Sequence, residues 1–340
     1  MGSIRLKDVA SAAGVSLTTA SRALTGRGRI SSETVDRVTQ VAERMGYQAH
    51  EIGRALREGS IRTVGVVVPV LSNPFFSQIV QFIEAELEAS GFEMLVADSH
   101  GEVDREARRL RMLVAREIEG IIVIPSDAKS SAEALRRVAS GTPVVQLDRQ
   151  VDGLESSFVG VDNQVGMDLL VDHVVARGAR SVALVSADRT TSVGRERQTA
   201  FAAAATRAGV SAHRPILDRF TLEFGERAGH LLAARRSLPD AVVAGDDLIA
   251  VGVIRGLTAH GIDVPGQILV TGFDGTILSE VSAPPLTTVR QPFEALSREA
   301  VQLLLNAREA PDGDARVHRR VAPELVVRGS TAIDVGGWRT

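Results

Sequence analysis

The 340-residue sequence has no cysteine, one tryptophan and one tyrosine, and its aromatic content is only 4%. Without cysteine the chain cannot form disulfides, thiolate metal sites or a cysteine nucleophile. No apolar run approaches the roughly 18 residues that a membrane span requires. The formal net charge of -3 gives no overall excess of positive charge that would indicate nucleic-acid binding. We therefore expect a soluble cytoplasmic protein without a membrane partner.

The charge is unevenly distributed along the chain. Residues 1–60 contain nine lysines and arginines against six acids, so this region is positive and the remainder carries the negative charge. A local excess of positive charge is a sign of nucleic-acid binding even when the total charge of the chain is not positive. With 44% hydrophobic residues and this length, the chain is expected to form at least two folding units.

The first 48 residues show three helical patterns. Apolar residues recur at helical spacing over about 6–13, 17–24 and 32–45. Gly14 allows a tight turn between the first two helices, and Ser16 is placed to cap the second. A small turn residue followed by a helix with short polar side chains is what a helix-turn-helix needs to reach base edges in the major groove. A small helical packing domain fits the same pattern.

From residue 63 onward, apolar strands alternate with helices. The apolar run at 64–69 precedes a helix to about residue 90 and a second strand at 92–97. Further apolar runs follow at 121–125, 144–147, 182–185, 241–244 and 268–272. Fully apolar strands separated by helices indicate parallel sheets covered on both faces. The sequence therefore predicts an α/β core of two doubly wound lobes behind an N-terminal all-α domain.

Polar and aromatic residues follow several of these predicted strands. In doubly wound sheets, ligands bind at the carboxyl ends of the strands. Carboxylates and amides accept hydroxyl protons, guanidinium groups donate to sugar oxygens, and aromatic faces cover the C–H side of a sugar ring. Taken singly, each residue also has a structural explanation, such as core packing, a local ion pair or a loop cap. The candidate ligand residues are Asn73, Phe75, Phe76, Asp148, Arg149, Arg197, Phe224, Asp246, Asp274 and Gln291.

The N-terminal region matches a known family in residue type and spacing. The matching segments are Leu6–Ser16, Thr19–Arg22 and Gly46–Tyr47. They resemble the headpiece of LacI-family (lactose repressor-like) transcriptional regulators. Base contacts are implied by this resemblance for Leu17, Thr18 and Arg22. Phosphate contacts are implied for Ser16, Thr19 and Ser21.

The resemblance extends through a hinge into the core. Residues 50–58 match the hinge helix of that family, with Leu56 at the position that wedges into the minor groove. An ordinary packing leucine is the alternative for Leu56. The implied domains are a headpiece at 1–48, a hinge helix and linker at 49–61, and an effector-binding core at 62–340. The core would comprise an N-lobe of 62–162 and 292–324 and a C-lobe of 163–291 and 325–340.

The candidate ligand residues resemble the binding shell of ribose-binding proteins, which have a two-lobed periplasmic-binding-protein-like fold. Nine of the ten agree in residue type, and Asp246 departs because that shell has asparagine there. An ionised aspartate accepts hydrogen bonds but cannot donate them. Asp246 adds negative charge to a pocket with two other acids and two arginines, which favours a neutral polyhydroxylated ligand over an anion.

The leading hypothesis is a homodimeric repressor that binds a pseudo-palindromic operator and carries ribose or a similar monosaccharide between its lobes. The alternative effector is a nucleoside, purine or sugar alcohol, because Phe75, Phe76 and Phe224 would also stack on a flat base. A stand-alone sugar-binding protein would not explain the basic N-terminal region. An enzyme such as a sugar isomerase or kinase would need a Walker-type loop or a metal-spaced histidine cluster, and the sequence has neither. We predict no catalytic residue, cofactor or metal.

Overall fold

The structure is a computed structural model that describes residues 4–25, 30–47, 62–309 and 316–332. The contacts divide the chain after residue 61 into an N-terminal unit and a larger core. The predicted hinge helix, with Leu56, lies outside the described residues. Where the chain is described, none of its helices has the length and apolar character of a membrane span.

The N-terminal unit contains three helices packed around a small interior. The helices are α1 (Leu6–Ala12), α2 (Leu17–Thr25) and α3 (Ser32–Met45). The turn between α1 and α2 uses Gly14 at a φ of 65°, a left-handed conformation that glycine adopts without strain. Val9, Ala20 and Val38 are completely buried, one from each helix. Small side chains at the centre let the three helices approach closely, and the predicted three-helix headpiece is confirmed.

The first lobe of the core is built on a six-stranded parallel sheet. Its strands are β1 (Thr63–Val68), β2 (Glu93–Asp98), β3 (Gly120–Val123), β4 (Val144–Leu147), β5 (Ser157–Val161) and β12 (His318–Val321). They lie in the order β12-β5-β4-β3-β1-β2. Its helices are α4 (Pro74–Ala89), α5 (Val103–Val114), α6 (Ala132–Ala139) and α12 (Phe293–Glu309). Separate clusters of buried apolar residues cover the two faces of the sheet, as the uninterrupted apolar strands predicted.

The second lobe repeats this design. Its strands are β6 (Ser181–Ala187), β7 (Ser211–Ala212), β8 (Ile216–Asp218), β9 (Ala241–Ala244), β10 (Leu269–Asp274), β11 (Thr287–Arg290) and β13 (Glu324–Val326). They lie in the order β13-β11-β10-β9-β6-β7, and β8 also pairs with β6. β13 is antiparallel to its neighbour β11. The helices are α7 (Asn163–Ala176), α8 (Ser192–Ala208), α9 (Leu222–Ala233), α10 (Asp247–Thr258) and α11 (Leu278–Val281).

The chain passes between the lobes after β5, after β11 and after β12. Glu324 was expected at the end of the first lobe, but it already belongs to the second because its backbone pairs with Arg290 in the second sheet. The predicted class is confirmed: two doubly wound, mainly parallel sheets follow an N-terminal all-α unit. Polar residues lie at the carboxyl ends of the strands in both sheets.

Candidate functional site

A small cavity lies between the two lobes of the core. Its volume is about 20 Å³. The lining consists of Asn73, Phe75, Phe76, Asp148, Arg149, Val193, Arg197, Phe220, Asp246 and Asp274. Eight of these ten residues were predicted from the sequence. Because the open space is close to that of one water molecule, a sugar-sized ligand requires the lobes or the lining side chains to move apart.

The first lobe contributes a rigid aromatic wall. Asn73 caps α4, because its Oδ1 accepts the backbone N–H of Phe75 at 2.9 Å, and Pro74 occupies the first helical position. Phe75 and Phe76 are buried, and their rings pack edge to face with centroids 5.1 Å apart. The guanidinium of Arg149 lies 5.3 Å from the centroid of Phe76. The wall thus holds a cation against an aromatic face, where the ring quadrupole attracts it.

Two cavity carboxylates stand on strained backbone. Asp148 directly follows β4 with a φ of 61°, and Asp274 ends β10 with a φ of 105°. Non-glycine residues held at positive φ cost on the order of 1–3 kcal/mol each, and such strain clusters at functional sites. The fold therefore keeps these two side chains aimed at the cavity at an energetic cost.

Arg197 is fixed by protein groups on all sides. It projects from α8 and is only 2% exposed. Its Nε donates to Asn163 Oδ1 at 2.9 Å, its Nη1 donates to the Gly245 carbonyl at 2.5 Å, and both terminal nitrogens lie 3.4 Å from Asp274 Oδ1. Its guanidinium also stacks 3.7 Å from the ring centroid of Phe273. A buried guanidinium with this many partners is held in one orientation at the cavity wall.

Gln291 does not line the cavity, but it acts on a residue that does. Its Nε2 donates to Asp274 Oδ1 at 2.8 Å, and its side chain is almost completely buried. Gln291 follows β11, at the second passage between the lobes. The predicted ligand residue is therefore a positioning residue that orients Asp274.

Asp246 and Asp247 lie side by side after β9 but have different surroundings. Asp246 caps α10, with Oδ1 accepting the N–H of Ile249 at 2.7 Å. Asp247 is turned away from the cavity: its Oδ2 accepts the backbone N–H and the hydroxyl of Thr276, and its Oδ1 accepts the hydroxyl of Thr288. Asp247 therefore anchors the loop after Asp274, while Asp246 faces the cavity.

Burial dominates the titration of these groups. It raises the pKa of Asp246 to about 7 and the pKa of Asp247 to about 6. Burial also raises the pKa values of Asp148 and Asp274, although Arg149 and Arg197 oppose it. The same loss of solvent lowers the pKa of Arg149. In this buried cavity the ionised form of each carboxyl is therefore penalised by the loss of solvent.

Several buried polar atoms of the site have no hydrogen-bond partner. They are Asp148 Oδ1, Arg149 Nε and Gln291 Oε1. A buried polar group left unsatisfied costs about 1–3 kcal/mol. Ligand hydroxyls can both donate and accept, so they are suited to relieve these atoms. In the described part of the chain, no three histidine, aspartate or glutamate side chains are placed to hold a metal ion.

Phe224 was predicted as a ligand residue, but it does not line the cavity. Phe224 packs into the apolar core of the second lobe, whereas Phe220, four residues earlier, lines the cavity. The ring centroid of Phe220 lies 5.6 Å from the guanidinium of Arg149 and 6.0 Å from that of Arg197. Thr221 caps α9, which leaves Phe220 in the loop and turns Phe224 inward with the helix. Val193, in the first turn of α8, was also missed because nothing in its apolar character marks it as a lining residue.

A hydrogen-bonded network joins the lobes beside the cavity. Glu196 of α8 accepts two bonds from Arg320 of β12, at 2.8 and 2.9 Å, so this ion pair bridges the two lobes. Glu196 also accepts from Asn163 Nδ2 at 2.7 Å, and Asn163 in turn holds Arg197. A second inter-lobe pair joins both terminal nitrogens of Arg195 to Asp152 at 2.7 and 3.1 Å. The position of one lobe relative to the other is therefore connected to a cavity arginine.

The N-terminal unit presents the predicted DNA-contacting residues along α2. Leu17 is 54% exposed, and Thr18 and Arg22 are exposed as well. Thr19 and Ser21 are half-buried. Ser16 Oγ accepts the N–H of Thr19 at 3.0 Å, so the predicted helix cap is present.

Comparisons with known proteins agree with this architecture. Residues 5–50 match the model described as bacterial regulatory proteins, lacI family, and residues 171–331 match a periplasmic binding protein-like domain. The HTH-type transcriptional regulator DegA of Bacillus subtilis (strain 168) is 33% identical over 332 residues, which cover 96% of this chain and 97% of DegA. The expected resemblance and the periplasmic-binding-protein-like fold are thereby confirmed.

Solved structures show the same fold over nearly the whole chain. The lac repressor dimer bound to operator and the anti-inducer ONPF superposes with a TM-score of 0.89 at 24% identity, covering 98% of this chain and 100% of that one. The complex of the transcriptional regulator CelR with cellobiose has a TM-score of 0.72 at 26% identity, covering 96% and 99%. Both the headpiece and the two-lobed core thus have counterparts of known structure.

Proposed function

Because this chain belongs to the LacI family of bacterial regulatory proteins, we propose that it is a transcriptional repressor whose affinity for operator DNA is set by a small polyhydroxylated effector. The effector site is the cavity between the lobes. The observation that carries this proposal is the convergence of Asp148, Arg149, Arg197 and Asp274 from both lobes around one buried space. These groups offer the donors and acceptors that sugar hydroxyls require.

The proposed effector is of monosaccharide size, and ribose is the first compound to test. The CelR complex with cellobiose supports a saccharide, since that regulator shares the fold of this chain at 26% identity. A nucleoside or purine is the second candidate, because Phe76 and Phe220 both face Arg149 and could stack on a flat base. The protein would act in the cytoplasm as a homodimer, with two headpieces on the half-sites of a pseudo-palindrome.

DNA recognition is proposed to use α2. Leu17, Thr18 and Arg22 would contact base edges, with Leu17 against a thymine methyl group. Phosphate contacts would come from Ser16, Thr19 and Ser21. Leu56, in the segment outside the described residues, would wedge into the minor groove.

A pair of variants tests the separation of the two sites. Arg22→Ala should abolish the gel shift of genomic operator fragments and leave the thermal stabilisation by effector intact, because Arg22 belongs to the N-terminal unit. Arg149→Ala should do the reverse. Thermal shifts of the full-length protein with pentoses, hexoses, polyols and nucleosides identify the effector, since a ligand bound only by the folded state raises its apparent stability. Equal loss of both activities in both variants would contradict the two-site assignment.

A further inference from the structure

The side chains around the cavity carry more negative than positive charge. Asp148, Asp246 and Asp274 line it together with Arg149 and Arg197. All five are more than nine-tenths buried, with exposed fractions between 2% and 8%. When all are ionised, three carboxylates face two guanidinium groups, so the cavity lacks one positive charge. A buried charge without a partner is costly because water no longer solvates it.

Two of the three carboxylates already have a guanidinium partner. Asp274 accepts from both terminal nitrogens of Arg197 at 3.4 Å. Asp148 lies beside Arg149, with Oδ2 3.6 Å from Nε. Asp246 is the third carboxylate, and in the described parts of the core no arginine or lysine forms an ion pair with it. Asp246 is therefore the excess charge.

The surroundings of Asp246 increase its affinity for a positive charge. The adjacent Asp247 is another buried acid, and its oxygens are already occupied by Thr276 and Thr288. Burial, and then the neighbouring Asp247, raise the pKa of Asp246 to about 7. Near neutral pH a proton therefore competes for this position. A ligand that brings its own positive charge to the same place competes with this proton.

We propose that the effector carries one cationic nitrogen, as an amino sugar or an amino polyol does, and that Asp246 binds this nitrogen. The inference rests on the proposed effector site and refines its ligand from a polyol to an aminated polyol. Hydroxyls of the same molecule have partners in Asp148 Oδ1 and Arg149 Nε, which are buried without hydrogen bonds. An ammonium group donates up to three hydrogen bonds, so it suits a carboxylate that has one oxygen engaged in a helix cap.

The test compares matched amines and neutral sugars on the full-length protein. Isothermal calorimetry at about pH 7 would titrate wild type and Asp246→Asn with D-glucosamine, D-galactosamine and D-mannosamine, and with D-glucose, D-galactose and D-mannose. Wild type should bind an amine about ten- to hundredfold more tightly than its neutral partner, and Asp246→Asn should lose this preference. Repeating the titration in two buffers of different ionisation enthalpy should show proton release on amine binding in wild type alone.

The Asp246→Asn variant keeps a side-chain oxygen that can cap α10, so it is expected to fold; Asp246→Ser, whose hydroxyl also caps helices, is the second variant. Asp240→Asn is the matched control. Asp240 directly precedes β9, at the opposite end of that strand from Asp246, and its Oδ2 accepts the backbone N–H groups of Arg180 and Ser181, so its neutralisation should leave the amine preference unchanged. Equal or tighter binding of neutral sugars, unaffected by Asp246→Asn, would overturn the inference and leave the proposed function standing. Absence of binding by both series, by ribose and by nucleosides would overturn both.

Discussion

Replacing Glu196 with glutamine tests whether the inter-lobe network controls effector affinity without touching the effector. Glu196 does not line the cavity, yet it joins Arg320 of the first lobe to Asn163 and, through Asn163, to Arg197. Glutamine keeps the shape of the side chain and removes its charge. The bidentate pair with Arg320 is then lost, while the cavity residues themselves are unchanged.

The expected size of the effect follows from the geometry of this pair. Its two charged hydrogen bonds, at 2.8 and 2.9 Å, would contribute about 1.5–3 kcal/mol each if fully protected from water. The side chains of Arg320 and Glu196 are 32% and 25% exposed, so solvent screening reduces the sum to about 1–2 kcal/mol. If the pair forms only when the lobes are closed, that loss lowers the closed population and weakens effector binding by about five- to thirtyfold.

Calorimetric titration with the compound that gives wild type its largest thermal shift would measure this change. A double-mutant cycle of Glu196→Gln and Arg320→Gln isolates the pair, with an expected coupling of about 1–2 kcal/mol in effector affinity. Glu226→Gln is the matched control, because Glu226 pairs with Arg255 within the second lobe alone. Unchanged effector affinity in Glu196→Gln, or an equal loss in Glu226→Gln, would refute the reasoning.

Three further predictions concern stability and DNA binding. Gly256→Ala places a methyl group against the carbonyl oxygen of Glu226 where α9 and α10 pack together, so urea unfolding should show a free energy of unfolding lower by about 1–3 kcal/mol. Gly141→Ala is the control: its methyl group enters open space, and the variant should be neutral or slightly stabilised. Burial raises the pKa values of Asp246 and Asp247 to about 7 and about 6, so the folded state binds more protons than the unfolded chain, and the contribution of these two groups to stability should fall as pH rises from about 4 to about 7. Urea unfolding should show a smaller fall in the free energy of unfolding across that range in Asp246→Asn than in wild type, and an equal pH dependence in the two proteins would exclude Asp246 as a source. Operator affinity measured by fluorescence anisotropy should fall at least tenfold between about 50 and about 200 mM salt, because phosphate contacts release counterions, and a flat dependence would argue against them.

Strands whose side chains are all buried could be predicted from the sequence, whereas a strand whose side chains are mostly exposed could not. All six positions of β1 are buried, so its sequence is a continuous apolar run that indicates a parallel strand. β12, with the sequence His-Arg-Arg-Val, has three exposed side chains and no apolar pattern. It is a strand because its backbone pairs with β5, a long-range partner that local periodicity does not reveal. The predicted boundary at Glu324 failed by one residue for the same reason.

The candidate site shows a similar division. Asn73, Asp148, Asp246 and Asp274 could be placed because each stands at the carboxyl end of an apolar strand, where the topology of doubly wound sheets brings polar residues together. Phe224 was predicted from its residue type, but Phe220 lines the cavity because it lies before the N-cap of α9, whereas Phe224 lies in the first turn and packs into the core of the lobe. Thr221 was the available signal, since threonine favours the N-cap.

The inter-lobe network was beyond sequence reasoning because each of its bonds joins residues distant in the chain. Asn163 begins the segment after the first passage between the lobes, Gln291 lies at the second, and Arg320 lies just before the third. Each of the three is connected to a cavity residue by hydrogen bonds. Arg320 bonds to Glu196, Glu196 to Asn163 and Asn163 to Arg197, while Gln291 bonds directly to Asp274. Any ligand that draws Arg197 or Asp274 toward it therefore acts on all three passages at once. A ligand that favours one arrangement of the lobes over another would thereby act on the contacts at all three passages, as the proposed effector control of operator affinity requires.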